Sequence, residues 1–154
     1  MIIFADRLIG SLPDRAVSRR QRSAGFYTLL YRQYEIGFVK VAAAIPTVKV
    51  ADCKFNAQQA ETQIAIADGK GVQIVVFPEL NLTGYSCGDL FGQQLLLEQA
   101  ELALMQIMNN TRQLDVISIV GMPVIVNSTL LNCAVVFQKG KILGVVPKTL
   151  SSKL

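Results

Sequence analysis

Phe77-Pro-Glu-Leu-Asn-Leu-Thr-Gly-Tyr-Ser-Cys-Gly-Asp-Leu-Phe91 follows directly on the apolar run Val72-Gln73-Ile74-Val75-Val76. That run reads as a short buried strand. Pro78 stops it, because proline has no N–H to donate and fixes its own φ. Glu79 comes next, so a carboxylate stands at the carboxyl end of a buried strand, where open α/β folds place their chemistry. The same arrangement recurs in Gly140-Lys-Ile-Leu-Gly-Val-Val146, which is followed by Pro147 and Lys148. Two apolar strands therefore each end in proline, and each delivers one charge, an acid and a base.

Working outward, Phe38–Ile45 reads as a first strand ended by Pro46. Asp52 suits the N-cap of a helix over 53–68, in which Ala57, Ala60, Ile64 and Ala67 recur at three- and four-residue steps. Strand 72–76 follows, and such a crossover favours parallel pairing. A second helix is expected over 92–110, with Leu96, Ala100, Ala103, Leu104 and Ile107 as its apolar stripe and Gly88 and Asp89 shaping its entry. A strand over 115–121 comes next. A hairpin then pairs 130–138 with 141–146 across Lys139-Gly140. Strands separated by helices and ending in a hairpin indicate a layered α/β domain.

Of the 154 residues, 51% are hydrophobic, which excludes a disordered chain. No apolar run approaches the roughly 18 residues of a membrane-spanning helix. The charge is unevenly placed. Residues 1–34 hold six Arg against Asp6 and Asp14, a net of +4, and the remaining residues balance to zero. The basic pI thus belongs to the leader, and nucleic-acid binding is not expected. Residues 1–36 are expected to be a basic leader, disordered or non-native to the domain; an Arg-rich targeting peptide and a structural arm are the alternatives. Cys53, Cys87 and Cys133 are odd in number and widely spaced, which is neither a disulfide framework nor a zinc pattern. A cytoplasmic setting fits them. The sequons at 109–111 and 127–129 read as chance matches.

The chain has no histidine, which removes Ser-His and Cys-His pairs and most zinc sites, and no metal site is expected. No phosphate-cradling loop is visible either. Acid–base work is left to Asp, Glu, Lys, Tyr or Cys. Cys133, within an apolar strand, is expected to be a buried inert thiol, and Cys53 a structural one. Asn132 is expected to bond backbone rather than substrate.

Phe77-Pro-Glu-Leu80, Thr83-Gly-Tyr-Ser86, Gly121-Met-Pro123, Asn132-Cys-Ala-Val-Val136 and Gly140–Lys148 together resemble the nitrilase (carbon–nitrogen hydrolase) superfamily. Tyr85-Ser-Cys-Gly-Asp-Leu-Phe91 is similar, more narrowly, to the glutaminase domain of bacterial glutamine-dependent NAD synthetases. The resemblance covers 37–149 as a partial carbon–nitrogen hydrolase domain, with 150–154 a divergent tail. It implies an α-β-β-α sandwich, of which this chain would be a truncated half. It also implies a Glu-Lys-Cys triad, with Glu79 as the general base, Lys148 stabilising the oxyanion, and Tyr85 contacting glutamine. The family's nucleophilic Cys follows the Lys by several dozen residues and is expected to be missing here; Cys87 matches a non-catalytic position. The implied reaction is glutamine hydrolysis supplying ammonia for ATP-dependent NAD synthesis, with this chain inactive alone. No cofactor is implied for this stretch; ATP and Mg belong to the absent synthetase domain. Glutamine is the implied partner, with no nucleic acid or membrane, and the intact family member is implied to be a homo-oligomer. A fragment of a stand-alone amidase, or a non-catalytic assembly module, are the alternatives.

Overall fold

The computed structural model describes residues 2–8 and 38–149. The rest of the basic leader and the tail at 150–154 lie outside the described residues. Six strands form one sheet in the order β1-β2-β3-β4-β5-β6: Ile2–Leu8, Phe38–Ala44, Ile74–Val76, Ile117–Val126, Thr129–Gln138 and Lys141–Pro147. The central pairs β2–β3 and β3–β4 are parallel. The outer pairs are antiparallel. Helix α1, Cys53–Gly69, links β2 to β3, and helix α2, Gln94–Asn110, links β3 to β4. These are the two crossovers that parallel neighbours require.

Both helices lie on one face of the sheet. Ala57, Ala60, Ile64 and Ala67 of α1 are fully buried, as are Ala100 and Ile107 of α2. They join Ala42, Val75, Val120, Met122, Val135 and Phe137 of the sheet in one core. Alanine at three- and four-residue steps lets the helices approach closely. Across their junction, Gln106 Nε2 and Asn110 Nδ2 donate to Glu61 Oε1 at 2.9 and 3.1 Å. Asp52 caps α1, its carboxylate accepting the Phe55 N–H at 3.0 Å.

The opposite sheet face carries no layer among the described residues. Val76 and Val146 remain 42% and 59% exposed there. Strand alternation explains the two faces: Val75 packs under the helices and Val76 points away. The α/β class expected from sequence is the observed one.

The larger differences from the expected elements each have a local reason. The strand expected over 72–76 begins at Ile74, because the Val72 N–H closes α1 on Ala67 O at 3.0 Å. The helix expected from 92 begins at Gln94, after a 3₁₀ turn over Gly88–Gly92. The strand expected over 115–121 runs instead over Ile117–Val126. It starts late because Asp68 Oδ1 accepts the Asp115 and Val116 N–H groups at 2.8 and 3.1 Å. It passes through Pro123 because β3 pairs only with Ile117–Ile119, so from Val120 onward β4 is hydrogen-bonded as a strand on the β5 side alone. Finally, Asn127 and Ser128, with φ of 48° and 62°, turn β4 into β5. This hairpin had no counterpart in the sequence reading, and neither did strand β1.

Candidate active site

Glu79 leaves β3 three residues after its last strand position. The Phe77 N–H donates to Ile119 O at 2.9 Å, which carries the parallel pairing one step past the strand and aims Pro78-Glu79 across the end of β4. The next residues are pinned from both sides. The Gly121 N–H donates to Asn81 Oδ1 at 2.8 Å, and the Leu82 N–H donates to Gly121 O at 3.2 Å. On the other side, Asn56 of α1 donates through Nδ2 to Leu82 O at 3.1 Å. Leu80 and Leu82 are fully buried beneath the loop, and Leu80 holds a φ of 53°. A residue without glycine's freedom adopts that backbone only when its surroundings impose it. Gly121 allows the close approach: a Cβ there would lie 2.4 Å from Leu80 N and 2.8 Å from Pro78 O.

Lys148 arrives from β6. Its N–H donates to Asn132 O at 2.8 Å, continuing the β5–β6 pairing beyond Pro147. The hairpin turns at Lys139 and Gly140, with φ of 50° and 73°, and a register shift between Val136 and Phe137 then moves the pairing by one residue, which places Lys148 opposite Asn132. Glu79 and Lys148, 69 positions apart in sequence, meet with Lys148 Nζ 2.9 Å from Glu79 Oε1. Their side chains are 39% and 43% exposed. The Lys148 ammonium holds the Glu79 carboxyl below the usual carboxylate range, and the Asn132 amide adds to this against a desolvation effect that opposes it. Glu79 in turn raises the Lys148 pKa, and the nearby Tyr85 phenol contributes least in the same direction. Both groups therefore remain charged around neutral pH.

The Asn132 side chain departs from the expectation for it. Its Nδ2 donates to Glu79 Oε1, so it serves the carboxylate rather than backbone. Its carbonyl does take a backbone N–H, that of Lys148. Nothing in the local pattern Leu131-Asn132-Cys133 distinguishes such an asparagine from a strand residue facing solvent; only the register of β5 places it beside Glu79.

A cavity of about 290 Å³ opens beside this cluster on the uncovered sheet face, lined by Val76, Ile119, Gly121, Ala134 and Val146, with Glu79, Asn132 and Lys148 among its walls. It is apolar with a few convergent polar groups, as small-molecule sites are. Tyr85, 65% exposed, is not a core residue. It is not among the residues that line the cavity.

The three thiols, Cys53, Cys87 and Cys133, are all buried. Cys133 alternates with Asn132 along β5 and is buried, although it is among the residues that border the cavity. Burial raises its pKa, and pushes that of Cys53 up to about 11. The position of Cys53 in a helix's first turn does not offset this desolvation. The Cys87 Sγ lies 3.1 Å from Thr83 O and 3.4 Å from Gly84 O, within the loop's own backbone. A carboxylate and an ammonium thus meet beside the cavity, while the sulfurs of Cys53, Cys87 and Cys133 are buried.

The carbon–nitrogen hydrolase family model matches residues 33–153. The glutamine-dependent NAD(+) synthetase of Mycobacterium tuberculosis is 36% identical over 119 residues, which is 77% of this chain and 18% of that protein. The enzyme of the same description from Mus musculus is 33% identical over 110 residues, covering 71% of this chain and 15% of that one. The chain thus spans less than a fifth of the length of these curated relatives. Among solved structures, a glutamine-dependent NAD(+) synthetase from Cytophaga hutchinsonii superposes with a TM-score of 0.69 at 24% identity, over 74% of this chain and 19% of that one. An amidase from Nesterenkonia sp. superposes with a TM-score of 0.65 at 19% identity, over 75% and 44%. At these identities the superpositions speak for the fold.

Proposed function

The chain belongs to the carbon–nitrogen hydrolase family, and we propose that it forms part of a glutaminase domain that hydrolyses the side-chain amide of glutamine. In this reading the ammonia released serves ATP-dependent synthesis of NAD from deamido-NAD on a separate synthetase domain. One observation carries the chemistry: Lys148 Nζ stands 2.9 Å from Glu79 Oε1, on an open cavity at the carboxyl end of β3. The substrate class follows from the curated relatives, described as glutamine-dependent NAD(+) synthetases.

Each residue takes a role. Glu79, ionised at neutral pH, accepts the proton of an attacking thiol. The thiolate adds to the amide carbonyl, and the Lys148 ammonium faces the oxygen as it gains charge; such a group is typically worth a few kcal/mol. Glu79 returns that proton to the amide nitrogen as the tetrahedral intermediate collapses, so that the C–N bond breaks, ammonia leaves and a thioester remains, which water hydrolyses to glutamate and the free thiol. Tyr85 contacts the glutamine from the rim. Because Cys53, Cys87 and Cys133 are buried, the thiol comes from outside the described residues, and the chain by itself does not turn over. In this reading ATP and magnesium are bound by the separate synthetase domain.

A second reading, hydrolysis of a simple aliphatic amide, draws on the Nesterenkonia amidase of the same fold, one structure of which holds butyramide. Titration of the isotope-labelled chain with glutamine, and separately with a short aliphatic amide, decides between them. Glutamine is expected to shift the Tyr85 and Lys148 resonances. Shifts with the aliphatic amide alone would favour the amidase, and no shift with either would overturn both.

A further inference from the structure

We infer that Asn132 is the positioning residue of this site: its amide and the Lys148 ammonium both occupy Oε1 of Glu79, leaving Oε2 as the atom that takes the proton.

The geometry supplies the argument. Among the described residues, Glu79 receives two side-chain hydrogen bonds, one from Asn132 Nδ2 and one from Lys148 Nζ, and both end on Oε1. A carboxylate has two equivalent oxygens in free solution. Two donors on one of them break that equivalence: they fix the rotation of the carboxyl plane and concentrate stabilisation on Oε1. Oε2 keeps its lone pairs and is the free acceptor. A single donor would leave the carboxylate able to rotate about Lys148, whose long side chain is itself flexible.

Asn132 acts at a second point. Its carbonyl accepts the Lys148 N–H at 2.8 Å. One residue of β5 therefore holds the base by its side chain and the cation by its main chain, and ties the ion pair to the register of the β5–β6 hairpin. The assignment of Oε2 as proton acceptor rests on the glutaminase reading; the hold of Asn132 on Glu79 does not.

The test is carboxyl-carbon NMR on the full chain. In the unsubstituted protein the Asn132 side-chain amide resonances are expected to move with the Glu79 titration, at the same midpoint. In Asn132→Leu, which keeps the bulk and removes the donor, the Glu79 midpoint is expected to rise while exchange protection of the Lys148 backbone amide is retained. An Asn132 amide that stays still as Glu79 titrates would overturn the assignment, and that measurement needs no variant to fold. An unchanged Glu79 midpoint in a folded Asn132→Leu would overturn it as well. Glutamine added to the same sample separates the two ideas. Loss of the response to glutamine with the Asn132–Glu79 coupling intact counts against the glutaminase alone, and the converse counts against Asn132 alone.

Discussion

Gly121 sits directly beneath Leu80, so close that a methyl group on its Cα would stand 2.4 Å from the Leu80 amide nitrogen. The contact is between two backbones, so no flexible side chain can yield. The loop carrying Glu79 owes its path to the missing Cβ. Gly121→Ala must push Pro78–Leu80 off β4, lengthen the bonds that Gly121 donates to Asn81 Oδ1 and accepts from the Leu82 N–H, and carry the Glu79 carboxylate away from Lys148. Overpacking of this kind costs roughly 1–3 kcal/mol. Urea unfolding is expected to show a lower midpoint with an unchanged slope, and the Glu79 titration should return toward the ordinary carboxylate range. A variant as stable as the parent would contradict the close approach.

The ion pair itself predicts a pH window. The folded-state pKa of Glu79 is lowered, so its contribution to stability is present above the unfolded value of about 4.3 and is lost as pH falls through the lower folded value. The Lys148 pKa is raised, so its contribution is present below the unfolded value of about 10.4 and is lost as pH rises through the higher folded one. Between these limits the pair is intact. Both side chains are more than a third exposed, so solvent and salt screen it and the effect on stability is small. Lys148→Met is expected to raise the Glu79 midpoint and flatten the acid limb of the stability profile. An acid limb identical to the parent's would show that the pair makes no contribution.

The thiols predict the chain's behaviour as an enzyme. Cys53 and Cys133 have raised pKa values, and all three sulfurs are buried. A protonated, enclosed thiol is a poor nucleophile. Alkylation by iodoacetamide at neutral pH is expected to be slow in the folded chain and to accelerate on adding denaturant. Glutamate release from glutamine is expected to stay at the background rate. Turnover abolished by Cys87→Ala would instead make one of these sulfurs catalytic.

The distance between sequence and structure is instructive at this site. Pro78-Glu79 and Pro147-Lys148 were legible because each proline ends an apolar run, and strand ends in α/β sheets are where charges can converge. The α1 and α2 stripes were legible because Ala57, Ala60, Ile64 and Leu96, Ala100, Ile107 repeat at helical spacing. Asn132 was not, since its role depends on which of ten β5 residues falls opposite Pro123, and register is a tertiary property. The β4–β5 turn was hidden because Asn127-Ser128 lacks glycine, although asparagine tolerates the left-handed region. β1 was hidden because Ile-Ile-Phe-Ala-Asp-Arg-Leu does not alternate; its pairing with β2 supplies the order.

Asp52 tests whether α1 depends on its cap. Its carboxylate takes the Phe55 N–H at 3.0 Å, while the Asn56 N–H makes the first i→i−4 bond of the helix, to Asp52 O at 3.0 Å. Asp52→Ala removes the first and keeps the second. Loss of a cap of this type costs about 1 kcal/mol. Because Asn56 also holds Leu82 O, fraying of this first turn should loosen the Glu79 loop. Faster amide exchange at Leu82 than in the parent, alongside the lower urea midpoint, would show that coupling; exchange changed only within 53–56 would confine the effect to the helix.

The open sheet face sets the chain's behaviour at concentration. Val76 and Val146 stand exposed beside Ile119 and Ala134, and β6 offers Ile142, Leu143 and Val145 to solvent as well. Apolar area of this kind, next to an edge strand whose outer hydrogen-bonding groups lack a partner strand among the described residues, favours association of sheets. Sedimentation velocity is expected to show an average mass that rises with concentration. Val146→Lys puts a charge on that face at its β6 edge without touching the helix-packed core, so it should lower the association at equal concentration and leave the far-ultraviolet circular dichroism unchanged. A parent chain that stays a monodisperse monomer throughout would mean that the exposed valines are too dispersed to act as one surface.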